Sequence, residues 1–259
     1  MEYRDIELIR EDGIAYIYFN RPEVLNALSQ RMRVDLINAL KETEEDRNIR
    51  VTILSGRGRA FCAGADLNRF VEVQKSDHET RRWNFGSLDL PRAFVQYRKP
   101  LISAINGPAY GFGLTVTLTC DIRLASEKAK FSCAFVRVGV TPEFGSSYFL
   151  SRLIGHGKAA ELVFTARPFD ANEALAMGIV DHVFPHDQLM VKAKEMAGQI
   201  ASMPPSAVQR AKAVLRQGME ATVDQALHYE AVAFVNGLET EEHRMALHNL
   251  LSQIKSKKD

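Results

Sequence analysis

The sequence predicts an α/β protein that ends in a purely helical region. Strand-like apolar runs alternate with helical patterns up to about Pro185, the order expected of a layered α/β core. From Asp187 onward only helical periodicity remains, in four segments separated by Pro-Pro, Gly and Thr-Glu breaks. In addition, two glycine-rich loops each follow a core strand: "GRGRAFCAGADLNRF" (Gly56–Phe70) and "NGPAYGFGLT" (Asn106–Thr115). The boundary is expected at 190/191, with residues 1–190 as the core and 191–259 as a helical packing or oligomerisation region.

Each element has a local reason. "IELIRE" and "IAYIYF" flank Asp12-Gly13, a dipeptide that favours two-residue hairpin turns. "RPEVLNALS" reads as a loop, and a helix follows from about Ser29, with Met32, Leu36, Ile37 and Leu40 on one face. "VTILSG" is a buried strand. "PLISAINGPAYGFG" is a strand running into the second glycine-rich loop. "LTVTLTCDIRLAS" reads as a small-residue helix leading to a third core strand. Residues Asn68 to Arg98 are charged and weakly periodic. They read as a short helix within a mobile segment, with Trp83 as core or pocket lining. The tail segments "QLMVKAKEMAGQIASM", "PSAVQRAKAVLRQGM", "TVDQALHYEAVAFVNGL" and "TEEHRMALHNLLSQIK" are helices whose apolar stripes need a partner surface.

Composition narrows the function classes. At 46% hydrophobic and 25% charged, the 259-residue chain is ordinary globular protein. A net charge of +1 supplies no basic field, so nucleic acid is not an expected partner. No apolar run approaches a membrane span, and the first residues lack a signal-peptide pattern. Cys62, Cys120 and Cys133 are odd in number and without CxxC spacing. Reduced thiols in a cytoplasmic protein are therefore expected. No HExxH or paired-His spacing occurs, so no metal site is expected.

The glycine-rich loops are not nucleotide motifs. "GFGLTV" lacks the third glycine of GxGxxG, and no GKS or GKT occurs. Small residues after a strand let backbone N–H groups approach a ligand closely. Two such groups aimed at one point form an oxyanion hole, although either loop alone reads first as a tight turn. The stretch "GVTPEFGSSYF" holds Glu143 just before a helix start. Alone, that is a polar turn. Cys62 reads as a small buried residue and Asp66 as a cap for the next turn.

The blocks "RPEVLNALS", "AFCAGADL", "NGPAYGFG", "CDIRLAS" and "FDANEALAMGIVDHVF", in this order and spacing, resemble the crotonase (enoyl-CoA hydratase/isomerase) superfamily along essentially the whole chain. The resemblance implies a spiral of ββα turns with a C-terminal helical region. It also implies acyl-coenzyme A thioester substrates, with coenzyme A entering only as part of the substrate and no separate cofactor. Assembly would be as homotrimers or dimers of trimers. It implies oxyanion-hole N–H groups on Ala65 and Phe112. The coenzyme A path would run along Val24, Ala63 and Ala65, with Arg21 and Arg57 as phosphate partners. Leu114, Thr115 and Phe135 would line the acyl pocket.

Hydratases of the family use two glutamates, and their positions here fall at Thr115 and Phe135. Neither side chain can do that work. "TPEFGSS" instead resembles the block in the family's Δ3,Δ2-enoyl-CoA isomerases, where the glutamate is the single catalytic base. The expected function is therefore double-bond isomerisation by Glu143. The alternatives are 2-enoyl-CoA hydration and an acyl-CoA-binding protein without turnover.

Overall fold

The computed structural model describes residues 3–75 and 87–256. Strands β1 (Ile6–Glu11) and β2 (Ile14–Phe19) form the expected hairpin, with Glu11 paired to Ile14. Asp12 and Gly13 both take positive φ, 52° and 78°, the geometry that matches strand twist in a two-residue turn. β3 (Val51–Gly56), β4 (Leu101–Ile105), β6 (Ile122–Ser126) and β9 (His182–Phe184) then add in parallel, giving the order β1-β2-β3-β4-β6-β9. A second sheet of three short strands, β5 (Ala109–Tyr110), β7 (Lys130–Ser132) and β8 (Phe169–Asp170), lies in the order β5-β7-β8.

The large sheet is covered on both faces, which explains its nearly continuous apolar strands. Side chains alternate across β4: Leu101 and Ile105 enter one core while Ile102 and Ala104 enter the other. The first core takes the helix Gln30–Glu45, through buried Met32, Leu36, Ala39 and Leu40. Ser29 caps that helix by accepting a hydrogen bond from the Met32 N–H at 2.9 Å. The second core takes the helix Leu189–Ala201, through Leu189, Ala193, Ala197 and Ala201 at four-residue spacing. The 190/191 position thus lies in the first turn of a helix that belongs to the sheet's cover.

The last three helices, Pro205–Gly218, Val223–Leu238 and Glu241–Ser256, stand off the sheet. Their root is Asp121. Its carboxylate meets Lys212 Nζ at 2.7 Å and Arg216 Nη2 at 2.9 Å, and it also accepts the Leu101 N–H at 2.8 Å. Beyond that root the apolar stripes are bare: Val223, Leu227, Phe234, Met245 and Leu250 are exposed.

Two local expectations are corrected. The region from Asn68 to Arg98 carries two helices in its described parts, Leu67–Gln74 and Asp89–Val95, rather than one. Trp83 lies outside the described residues. The small-residue helix after the second loop is only Phe112–Thr115, followed by a 3-10 turn at Thr117–Thr119. Threonine hydroxyls there bond backbone carbonyls three residues back, Thr117 to Leu114 and Thr119 to Val116, each at 2.7 Å, and so compete with helix continuation. Among the described residues, no helix is long and apolar enough to cross a membrane.

Candidate active site

The two glycine-rich loops leave adjacent parallel strands, β3 and β4, and are fastened to each other. The Phe61 N–H donates to Pro108 O at 3.1 Å, and the Tyr110 N–H donates to Cys62 O at 3.0 Å. Two buried asparagines complete the frame. Asn106 accepts from the Gly56 N–H at 3.1 Å and donates to Gly58 O at 3.0 Å. Asn26 accepts from the Arg21 N–H at 2.9 Å and donates to Arg57 O at 2.9 Å and Ala60 O at 2.8 Å. Fully satisfied buried amides of this kind fix loop geometry that apolar packing alone leaves loose.

The residues just before Ala65 and Phe112 are both glycines with left-handed φ, Gly64 at 105° and Gly111 at 50°. They face each other: a Cβ on Gly111 would lie 3.9 Å from Gly64 Cα. This brings the loops together at the two peptides expected to form the oxyanion hole. Among the described residues, neither the Ala65 nor the Phe112 N–H has an acceptor. Phe112 opens a one-turn helix, where an unspent N–H is inherent. Two unspent N–H groups on touching loops can hold an anion.

The segment Arg21–Leu28 runs beside the first loop. The Ala63 N–H donates to Leu25 O at 2.9 Å, and the Leu28 N–H donates to Gly64 O at 2.8 Å. Val24, Ala63 and Ala65 therefore share one rim. Arg21 is committed within this rim. Its guanidinium donates to Ala27 O at 2.6 Å and lies 3.3 Å from Asp66 and 3.6 Å from Asp5. Arg57 pairs with Glu7 at 2.6 Å and stacks 3.6 Å over the Tyr18 ring. Asp66 accepts the Asn68 N–H at 3.2 Å at the start of the next helix, the capping role expected of it.

Glu143 reaches the second loop from the far side. Phe144 takes φ 60° and Gly145 φ 73°, and they turn the chain into the helix Ser146–Ile154. A left-handed phenylalanine costs of order 1–3 kcal/mol and persists only where its surroundings hold it. Here the Phe144 ring packs edge-on to Phe112 at 5.2 Å and to Phe94 at 5.7 Å. The Glu143 side chain does not cap the helix that follows. Its Oε1 accepts a hydrogen bond from Thr115 Oγ1 at 3.0 Å, and Thr115 is only 1% exposed, so the carboxylate points inward.

As a residue Glu143 remains accessible to solvent, yet protein surrounds its carboxylate closely enough to raise its pKa above the ordinary value. The two statements are compatible: water reaches the group through a mouth, while most of the surrounding volume is protein. The Thr115 hydrogen bond and the Arg33 cation oppose the rise without cancelling it.

Leu114, Thr115 and Phe135 line one cavity of about 150 Å³, floored by Leu118, Leu150 and Val163. All three cysteines are buried free thiols, and burial pushes Cys62 and Cys120 up to about 12 and Cys133 to about 11. None is a nucleophile at neutral pH. Sequence reasoning missed the Thr115–Glu143 bond, the nearby charge of Arg33 and the framing role of Asn26 and Asn106. Asn106, the first polar residue after an apolar strand, was the available signal for the last of these.

The enoyl-CoA hydratase/isomerase family profile matches residues 9–257. The short-chain-enoyl-CoA hydratase of Clostridium acetobutylicum is 37% identical, over 95% of this chain and 94% of that protein. The crotonyl-CoA hydratase of Syntrophomonas wolfei is 34% identical, over 99% and 98%. The crystal structure of an enoyl-CoA hydratase from Bacillus anthracis superimposes with a TM-score of 0.91 at 34% identity, covering 96% of this chain and 97% of that one.

Proposed function

The chain belongs to the enoyl-CoA hydratase/isomerase family, and from that premise we propose that it moves the double bond of a 3-enoyl-CoA to the 2-position. One observation carries this reading. The inward-facing Glu143 carboxylate is held by the Thr115 hydroxyl, it feels the cation of Arg33, and the two positions where a hydratase carries its glutamates are Thr115 and Phe135. Water addition as the family performs it wants two carboxylates; a 1,3-proton shift wants one.

The steps follow from the residues. Glu143 takes a proton from C2 of the thioester, breaking the C–H bond and forming an O–H bond. The released electron pair spreads over the dienolate, whose oxygen carries the charge between the Ala65 and Phe112 N–H groups. Glu143 then returns the proton to C4. A carboxyl whose pKa is raised above the ordinary value is a stronger base once ionised, and it holds the abstracted proton more readily until that proton is returned. Phe135, 6% exposed, supplies an apolar wall where a second acid would otherwise activate water. Val24, Ala63 and Ala65 offer their backbone rim to the coenzyme A portion of the substrate. The bare stripes of the last three helices support assembly as a homotrimer or dimer of trimers.

Hydration is the second reading, favoured by the names of the relatives. A panel of 3-enoyl- and 2-enoyl-CoA thioesters of several lengths, assayed with wild type and Glu143→Gln, separates the two. Isomerisation lost by at least a hundredfold in Glu143→Gln, with little hydration by wild type, is the expected result. Isomerase activity kept within a few-fold would reject Glu143 as the base. Efficient hydration of 2-enoyl-CoA would move the assignment to a hydratase.

A further inference from the structure

Thr115 is the buried neighbour of both parts of the site. Its Oγ1 lies 3.0 Å from Glu143 Oε1 and 3.3 Å from Phe112 O, in the one-turn helix that begins at Phe112. A hydroxyl has a single hydrogen, so it serves one acceptor at a time. The ionised carboxylate is the stronger acceptor, since charge-assisted bonds are roughly twice as strong as neutral ones. When Glu143 carries a proton, the hydroxyl can swing to the Phe112 carbonyl and leave the carboxylic acid less constrained.

We propose that Thr115 is the positioning residue of Glu143: its hydroxyl occupies Oε1 and leaves Oε2 as the oxygen that carries the proton between C2 and C4. This rests on the reading of Glu143 as the base. With Oε1 anchored to a residue that is 1% exposed, the carboxylate plane cannot turn freely toward the mouth. The residue that stands where a hydratase would need an acid thus has its own task, that of orienting the base. It also favours the ionised form, so part of the pH dependence of catalysis belongs to Thr115.

The test is the pH profile of kcat/KM on a 3-enoyl-CoA for wild type, Thr115→Val, Thr115→Ser and Glu143→Gln, with melting curves for each. Losing a hydrogen bond to the charged form should move the acidic limb of Thr115→Val upward by about one pH unit. Thr115→Ser, which keeps the hydroxyl, should restore the wild-type limb. Thr115→Ala reads the same limb if the valine variant fails to fold. A limb that stays in place in the valine or alanine variant, or that serine does not restore, overturns the proposal. Glu143→Gln keeps the two readings apart. If it stays active, the base assignment falls. If it is inactive while Thr115→Val keeps the wild-type limb, only the role of Thr115 falls.

Discussion

Gly113→Ala sets two physical effects against each other. Gly113 sits inside the helix Phe112–Thr115, where alanine is favoured over glycine by about 1 kcal/mol on propensity alone. Its surroundings say the opposite: an added Cβ would lie 2.0 Å from the Cys62 carbonyl oxygen. An ordinary carbon–oxygen contact is about 3.3 Å, so the loops must part by roughly 1.3 Å. The atom that has to move is backbone, and it already accepts the Tyr110 N–H at 3.0 Å across the two loops. Overpacking of this kind costs roughly 1–3 kcal/mol, which exceeds the propensity gain. The separation falls between the Ala65 and Phe112 peptides, and a misplacement of about 1 Å can cost roughly a hundredfold in rate. The expected result is a kcat on 3-enoyl-CoA lower by about a hundredfold and a Tm lower by about 2–4 °C per kcal/mol lost. Gly198→Ala is the control, because Gly198 is an exposed mid-helix glycine with nothing within 4 Å of the added carbon. It should gain roughly 0.5–1 kcal/mol of stability with unchanged activity. Gly113→Ala with kcat within threefold of wild type and a raised Tm would refute the claim that loop contact sets the oxyanion geometry.

Two further predictions concern the base and the assembly. Burial holds the Glu143 pKa above the ordinary value of 4.5, so the folded state binds this proton more tightly than the unfolded one and stability falls as pH rises through that window. Glu143→Gln should therefore raise Tm at pH 7, with the difference vanishing below pH 4.5, the ordinary value; equal melting temperatures at pH 7 would contradict it. Light scattering on the purified chain should give a mass three or six times that of one chain, since Phe234, Val223 and Leu227 are exposed on one helix; a monomer at micromolar concentration would remove the assembly proposal.

Local patterns carried much of the fold. The β1–β2 hairpin follows from Asp12-Gly13, the helix Gln30–Glu45 from Ser29 and a period of apolar residues, and the tail helices from the same kind of periodicity. In each case the deciding contacts lie within a few residues of one another. The strands β5, β7 and β8 were not legible, because two or three residues hold no period and pairing with a distant partner defines them. The length of the helix after the second loop was misjudged because threonine hydroxyls competing for backbone carbonyls do not register in an apolar pattern.

The site divides along the same line. The residues by themselves showed two glycine-rich loops and a carboxylate, Glu143, before a helix start; only the family resemblance implied that Ala65 and Phe112 would offer the oxyanion peptides and that Thr115 and Phe135 stand where hydratases carry glutamates. Tertiary structure decided that Gly64 and Gly111 face each other, that Arg21 is bound to its own rim, and that Glu143 turns toward a hydroxyl 28 residues away. It also decided the sign of the Glu143 pKa shift. The physical reason is that residue type sets what a group can do, whereas desolvation, hydrogen-bond choice and close backbone approach depend on atoms that only folding brings within a few ångströms.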